Sequence, residues 1–393
     1  MLLFKDKEFI EKRTSEILGK SFLNEYLQDE GVTDINFDGV KLSIKHNRKG
    51  SINLKNHEHP SIEAVRNLIK QIADIQGKEF TVSNPILDTE IGFLRLNAMH
   101  EAVSPDGMTF SFRVSRPRLA VSSIADSIMS NNEEICSSIE ELLSVLIKSK
   151  CNIIISGATG SGKTELQKLL VGYIDDKQQI FLIEDTRDSH IKSLYPEKNI
   201  KSTQVLMSDE RERKITQQVL VKSGLRNLPN WLIVSETRGA EAADMLDAVK
   251  TNHSLITTLH ASGAMNIPSR LMSMIRQGGS YANMSDTLIA RELIEFLPIG
   301  VHLDVKEVEG VGVIRGIKEI VEFTGFDDVY GAQGNYLYRQ ANKFNRQTKE
   351  YTLSEETNPL TKRLLSKVED AKLYHQLPEL YVPNTDEKVV LAQ

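Results

Sequence analysis

Residues 151–165 read CNIIISGATGSGKTE, an apolar run that passes into a knot of small residues closed by Lys163 and Thr164. Gly157, Gly162, Lys163 and Thr164 satisfy the pattern G-x-x-x-x-G-K-[ST] directly after a strand-like segment. Beyond them Leu166, Leu169, Leu170, Tyr173 and Ile174 fall at offsets 0, 3, 4, 7 and 8, one face of a helix. Strand, glycine loop and helix in that order make an anion cradle: backbone N–H groups converge on phosphate oxygens, and the helix N-terminus adds partial positive charge. Lys163 is placed to neutralise β/γ-phosphate charge and Thr164 to reach Mg2+. The expected nucleotide-binding segment is therefore Gly157, Ala158, Thr159, Gly160, Ser161, Gly162, Lys163, Thr164 and Glu165, with ATP and Mg2+ as cofactors.

Outward from this stretch, short apolar runs recur at QIFLI (179–183), WLIV (231–234) and SLITTL (254–259), spaced widely enough for crossover helices. That pattern predicts an α/β fold with a mostly parallel sheet buried on both faces. A helix is expected over SSIEELLSVLIKS (137–149), further helices up to Leu297, and an antiparallel edge pair from VHLDVKEV (301–308) and VIRGIKEIVEF (313–323). Before the core, a helix near Glu8 to Tyr26 and alternating strands at INFDG, KLSIKH, SINL, Phe93 to Asn97 and Met108 to Arg113 predict a small mixed domain. Pro117 in SRPRL marks its end. The boundaries are an N-terminal domain over 1–116, the core over 117–330 and a polar, weakly patterned extension over 331–393, with a helix near Pro359 to His375 and a loose end.

A chain of 393 residues, 40% apolar and 26% charged, has the profile of a soluble globular protein of two or three domains. Its 48 basic against 54 acidic residues leave a formal charge of −6, so nothing gathers nucleic acid globally, and DNA binding is not favoured. Cys136 and Cys151 alone provide neither a disulfide framework nor a zinc site, and a reducing, cytoplasmic setting fits. The N-terminal residues place charges where a signal peptide would need an apolar core, so none is expected, and no stretch approaches about 20 apolar residues, so any membrane association is expected to be peripheral.

Two strand ends carry acids: QIFLI runs into Glu184 and Asp185, and NWLIV into Ser235 and Glu236. Carboxylates at the C-terminal edge of a parallel sheet sit where ligands of such sheets bind, one able to orient a water and the other to face Mg2+. His260 closes SLITTLHA, and Arg95, Arg113, Arg226 and Arg238 are candidate charge stabilisers.

Taken in order, GATGSGKT, IEDT, SETRGAEAADMLDAVKTNH and TTLHA resemble the motif set of the secretion traffic ATPases, which power type II and type IV secretion, conjugation and type IV pilus assembly. The resemblance implies a RecA-like P-loop NTPase core with a smaller mixed α+β N-terminal domain. It implies Glu184 as orienter of the lytic water and Glu236 as metal-side acid, with Thr164 and Asp185, although the two glutamates are exchangeable. It further implies His260 as γ-phosphate sensor, Arg95 and Arg113 as phosphate-facing arginines, a hexameric ring, and inner-membrane partners. EGVTDINFDG, GFLRLNA and FSFRV resemble the CpaF-type and conjugation-type branches in particular. The chain departs from the family in Ser235 before Glu236, in GLRNLPNW with Leu228 in place of an arginine, and in Arg187–Asp188 after the first acid pair. Two cysteines cannot build the four-cysteine zinc insertion of the general secretory branch. A nucleic-acid translocase on the same core, or a nucleotide-gated scaffold with little turnover, are the other classes consistent with these motifs.

Overall fold

Alternation of buried and more exposed positions along residues 42–46, 86–91, 94–98 and 109–114 gives the N-terminal strands one buried and one open face. The computed structural model describes residues 4–52, 54–55, 58–206, 214–308, 310–347 and 349–383. The chain divides into one unit of residues 1–117 with 306–314 and a second of residues 118–305 with 315–393.

In the first unit, α1 (Phe4–Gly19) and α2 (Asn24–Gln28) replace the single helix expected over Glu8 to Tyr26. The break falls at Gly19–Lys20–Ser21, where the Ser21 hydroxyl donates to the Leu18 carbonyl and accepts from the Leu23 N–H, a local bonding pattern that competes with the helix. Six strands follow: β1 (Val32–Phe37), β2 (Leu42–His46), β3 (Gly50–Ile52), β4 (Ile86–Ile91), β5 (Leu94–Met99) and β6 (Thr109–Val114). They form an antiparallel sheet of order β3-β2-β1-β6-β5-β4. Between β3 and β4 lies α3 (Ile62–Ile75), capped by the Ser61 hydroxyl, which accepts from the Ala64 N–H. Its Val65, Leu68, Ile69 and Ile72 pack with Ile35, Phe37, Leu96 and Phe112 on one sheet face. Residues 306–314 belong to this unit: the Ser51 N–H donates to Glu307 Oε1 at 3.2 Å and the Val313 N–H to the Arg48 carbonyl at 2.9 Å.

The second unit opens with α4 (Glu133–Lys148) and β7 (Ile153–Gly157), then α5 (Lys163–Gly172), β8 (Ile180–Glu184), α6 (Ile191–Leu194), β9 (Ile200–Gln204), α7 (Gln217–Leu225), β10 (Trp231–Val234), α8 (Glu241–Lys250) and β11 (Ser254–Leu259). Helices α9 (Ile267–Ile275) and α10 (Asp286–Phe296) lead to β12 (Ile299–Val308), β13 (Gly312–Asp327), β14 (Gly331–Asn345), β15 (Glu350–Glu356) and α11 (Lys362–Asp370). The sheet order is β15-β14-β13-β12-β7-β11-β10-β8-β9. Strands β12, β7, β11, β10, β8 and β9 run parallel, and β13, β14 and β15 are antiparallel neighbours. Residues 153–155, 180–183 and 231–234 of the central strands are continuous apolar runs because both faces are covered: Ile153 and Ile155 face one core, Ile154 the other. This is the RecA-like architecture.

The polar, weakly patterned stretch after residue 330 contributes both strands and core side chains. β14 and β15 extend the sheet, and Leu364 and Val368 of α11, with Leu360, Leu377 and Tyr381, enter the same core as Ile139 and Leu142 of α4. Fully buried Glu322 fastens this segment, accepting from the Thr361 N–H at 3.0 Å, from the Thr361 hydroxyl and from Arg363 at 3.3 Å. The loose end expected after the helix near Pro359 to His375 is packed as far as Tyr381, and residues 384–393 lie outside the described residues.

Candidate functional site

Strand β7 delivers the chain to Gly157, whose φ of +155° and surroundings admit no side chain: a Cβ there would stand 2.5 Å from both the Leu303 carbonyl and Ser161 Oγ. Leu303 is its ladder partner in the neighbouring β12, so the back of the loop rests on a strand far away in sequence. Gly162, at φ +99°, turns the chain into α5. The loop folds its own lysine inward. Lys163 Nζ donates to the carbonyls of Gly157 at 2.9 Å and Ala158 at 3.0 Å, and the residue is only 9% exposed. Thr164, half-buried, follows in the first turn, and the Gln167 amide donates to the Val234 carbonyl at 2.9 Å, tying α5 to β10. From β13 the Arg315 guanidinium donates to the Gly160 carbonyl at 3.1 Å and braces the loop apex. Glu165 does not face the loop. Its Oε2 accepts from the Ala120 N–H at 3.0 Å, and it pairs with Lys168 at 2.7 Å.

The acid-bearing strand ends emerge side by side, because Ile183 of β8 is in register with Val234 of β10 and the Ser235 N–H donates to the Ile183 carbonyl at 2.9 Å. Arg238 joins the two pairs, reaching Asp185 Oδ2 at 2.5 Å and Glu236 Oε2 at 2.9 Å. His260, directly after β11, places Nε2 3.1 Å from Glu236 Oε1. Burial opposes ionisation of Glu236, but the Arg238 hydrogen bond and charge, helped by His260 and Lys163, outweigh it and hold the carboxyl below the ordinary range. Asp185 goes the other way: burial raises it, and Arg238 only partly offsets the shift.

Glu184 is set apart from this chain of charges. It is 2% exposed, accepts from the Ser189 N–H at 3.1 Å, and is pushed up to about 7 by burial, which the Ser189 bonds only partly offset. Identical side chains at the ends of two adjacent strands thus have opposite tendencies, one poised near neutrality and one firmly anionic.

The structure therefore assembles Lys163, Asp185, Glu236, Arg238 and His260 at the C-terminal edge of the parallel strands. Arg226 lies exposed at the end of α7. Arg95 and Arg113 belong to the first unit, where they are direct cross-strand partners on the open sheet face. Asp88 stands 3.6 Å from Arg95, and Asp34 stands 3.8 Å from Arg113. Among the described residues no group of three or more His, Cys, Asp or Glu side chains is arranged to hold a metal. By chemistry alone, the Thr164 hydroxyl and the Glu236 and Asp185 carboxylates are oxygen donors of the kind that suits a Mg2+ held mainly by phosphate oxygens and water.

The sequence model of the family described as Type II/IV secretion system protein matches residues 90–309, a span that contains the loop, both acid pairs and His260. An uncharacterized protein of Bacillus anthracis is 31% identical over 388 residues, covering 95% of this chain and 80% of that protein. A putative conjugal transfer protein of Mycobacterium tuberculosis is 26% identical over 281 residues, 67% of this chain and 75% of that protein. Among solved structures, the Legionella pneumophila ATPase DotB superposes with a TM-score of 0.55 at 19% identity over 76% of this chain and 79% of its own, a likeness of fold. A matched family span of this extent, ordered around a phosphate loop on a RecA-like sheet, places the chain in the type II/IV secretion ATPase family.

Proposed function

We propose that the protein hydrolyses Mg2+-ATP and couples turnover to domain motion as the motor of a secretion, conjugation or pilus-type machine. The observation that carries this reading is the juxtaposition of a lysine-closed phosphate loop with two acids bridged by one arginine. Phosphates entering the loop offer Lys163 a full negative charge in place of two carbonyl dipoles, so the ammonium is expected to exchange partners. Thr164 and Glu236, with Asp185, would hold Mg2+, which when bound neutralises charge developing on the β- and γ-phosphate oxygens. Glu184 has the protonation behaviour of a residue that takes a proton from water near neutral pH, and the depressed Glu236 suits a permanently anionic neighbour of the metal. Through its bond to Glu236, His260 is positioned to register the loss of the γ-phosphate. Arg95 and Arg113 are the further arginines that this reading assigns to the phosphates.

In this reading the working form is a homo-oligomeric ring of six at the cytoplasmic face of a membrane, contacting inner-membrane proteins of the machine. Its attachment is peripheral, in keeping with the finding that no helix among the described residues is long and apolar enough to cross a membrane. The test is calorimetry and steady-state turnover of the purified chain with Mg2+-ATP. Lys163→Ala is expected to abolish both with an unchanged circular dichroism spectrum, and undiminished hydrolysis by that variant would refute the site. Turnover that rises with DNA and falls steeply with salt would point instead to a nucleic-acid translocase.

A further inference from the structure

Lys168 is 2% exposed, and Glu165 sits one residue past the threonine of the loop motif, yet neither is oriented on the loop. Both hold the same short stretch of chain. Lys168 Nζ donates to the Arg118 carbonyl at 2.9 Å, Glu165 Oε2 accepts from the Ala120 N–H at 3.0 Å, and the two side chains pair with each other at 2.7 Å. A third fastening lies farther on: the Ala125 N–H donates to Glu140 Oε2 at 3.0 Å, and Glu140 Oε1 accepts from the hydroxyl of Tyr173, the residue that ends α5. Leu119 and Val121 pack on the core between these points. The strap so held, residues 118–125, begins where the first unit ends, at Pro117.

We infer that Glu165 and Lys168 are positioning residues that make the strap follow the phosphate-loop helix. The inference rests on the nucleotide reading of the loop. Lys163 and Thr164 form the first turn of α5, and a helix moves as a rigid rod over the single turn to Lys168, so a shift of that turn on phosphate binding displaces Arg118 and Ala120 with it. Glu165 and Lys168 are three apart, on one helix face, which is the geometry that lets a single rod grip two successive points of a strap.

The experiment is amide exchange at Leu119 and Ala120 with and without Mg2+-ATP, read beside calorimetric affinity and kcat, in the wild type, Glu165→Ala and Glu165→Gln. Glutamine keeps an oxygen to accept from Ala120, so it serves as the conservative rescue. In the wild type the exchange rate is expected to change when ATP binds. In Glu165→Ala it is expected to rise about tenfold, as for an amide that has lost a charge-assisted bond. It should then no longer respond to ATP, with KM nearly constant and kcat lowered; Glu165→Gln should restore most of the slow exchange and of kcat. The inference is overturned by a wild-type exchange rate indifferent to bound ATP, or by a Glu165→Ala variant that loses ATP affinity more than tenfold while Ala120 stays protected, which would return Glu165 to the nucleotide site. Absence of ATP binding by the wild type, seen directly in the calorimeter, would instead remove the nucleotide reading and this inference with it.

Discussion

Replacing Glu184 by glutamine is expected to make the protein more stable at alkaline pH while destroying its turnover. The carboxyl is pushed from 4.5 to about 7 by burial, so the folded state holds its proton more tightly than the unfolded chain does. The sign follows from linkage: native stability associated with this group is fully present below the unfolded pKa and is lost as pH rises toward the folded one. At 1.36 kcal/mol per pKa unit, the ionised side chain costs the wild type about 3 kcal/mol at pH 8, about 1.4 kcal/mol at pH 5.5, and little at pH 4.5. Glutamine is neutral throughout and keeps an oxygen for the Ser189 N–H, so it removes that cost. For a domain of this size, 3 kcal/mol corresponds to a rise in Tm of roughly 6–12 °C. The assay is denaturant unfolding of the nucleotide-free protein and the variant between pH 4.5 and 8.5. A variant less stable than the wild type at pH 8, or a difference that does not shrink toward acid pH, would refute the argument. A variant that still hydrolyses ATP at the wild-type rate would separately remove Glu184 from the water-orienting role.

Arg238→Gln takes away the main counter-charge of Glu236. A depressed carboxyl contributes stability above its unfolded pKa that is lost as pH falls through the folded one, so this variant should be less stable at pH 7, by about 1 kcal/mol since the guanidinium is well exposed, and the deficit should fade below pH 4.5. A deficit that is constant with pH counts against the assignment. Arg95→Ala and Arg113→Ala should each lower kcat by about 10³-fold if these residues face the phosphates. Their ion pairs are long and half-exposed, so Tm should hardly change, and normal turnover in both variants rules out the phosphate-facing role.

The buried parallel strands were legible because strands covered on both faces favour continuous apolar runs, as residues 153–155, 180–183 and 231–234 have. Strands β9, β14 and β15 were not, since IKSTQ at one end of the sheet and the Gly-, Asn- and Lys-bearing stretch at the other are wet on at least one side and carry no such run. Helix α3 was not among the expected elements although Val65, Leu68, Ile69 and Ile72 have helical spacing. Within the site, Glu165 follows Lys163–Thr164 in the motif but points elsewhere, because successive helical residues project about 100° apart. Arg315 carried no signal at all: only the pairing of β12 with β7 and β13 with β12 brings it to Gly160. Arg238 stood as one arginine among four until the register of β8 and β10 set the two acid pairs beside it.

The reliance of Gly157 on Leu303 bears on how the molecule is made. During synthesis the ribosome releases the loop, both acid pairs and His260 well before β12, so a nascent chain complete through His260 possesses every residue of the motif set but has no wall behind the cradle. The back of the loop is thus left open until β12, about three-quarters of the way along the polypeptide, has emerged and inserted beside β7. A fragment ended at residue 297, for all its recognisable signatures, would be left with an open-backed loop and an uncovered strand edge.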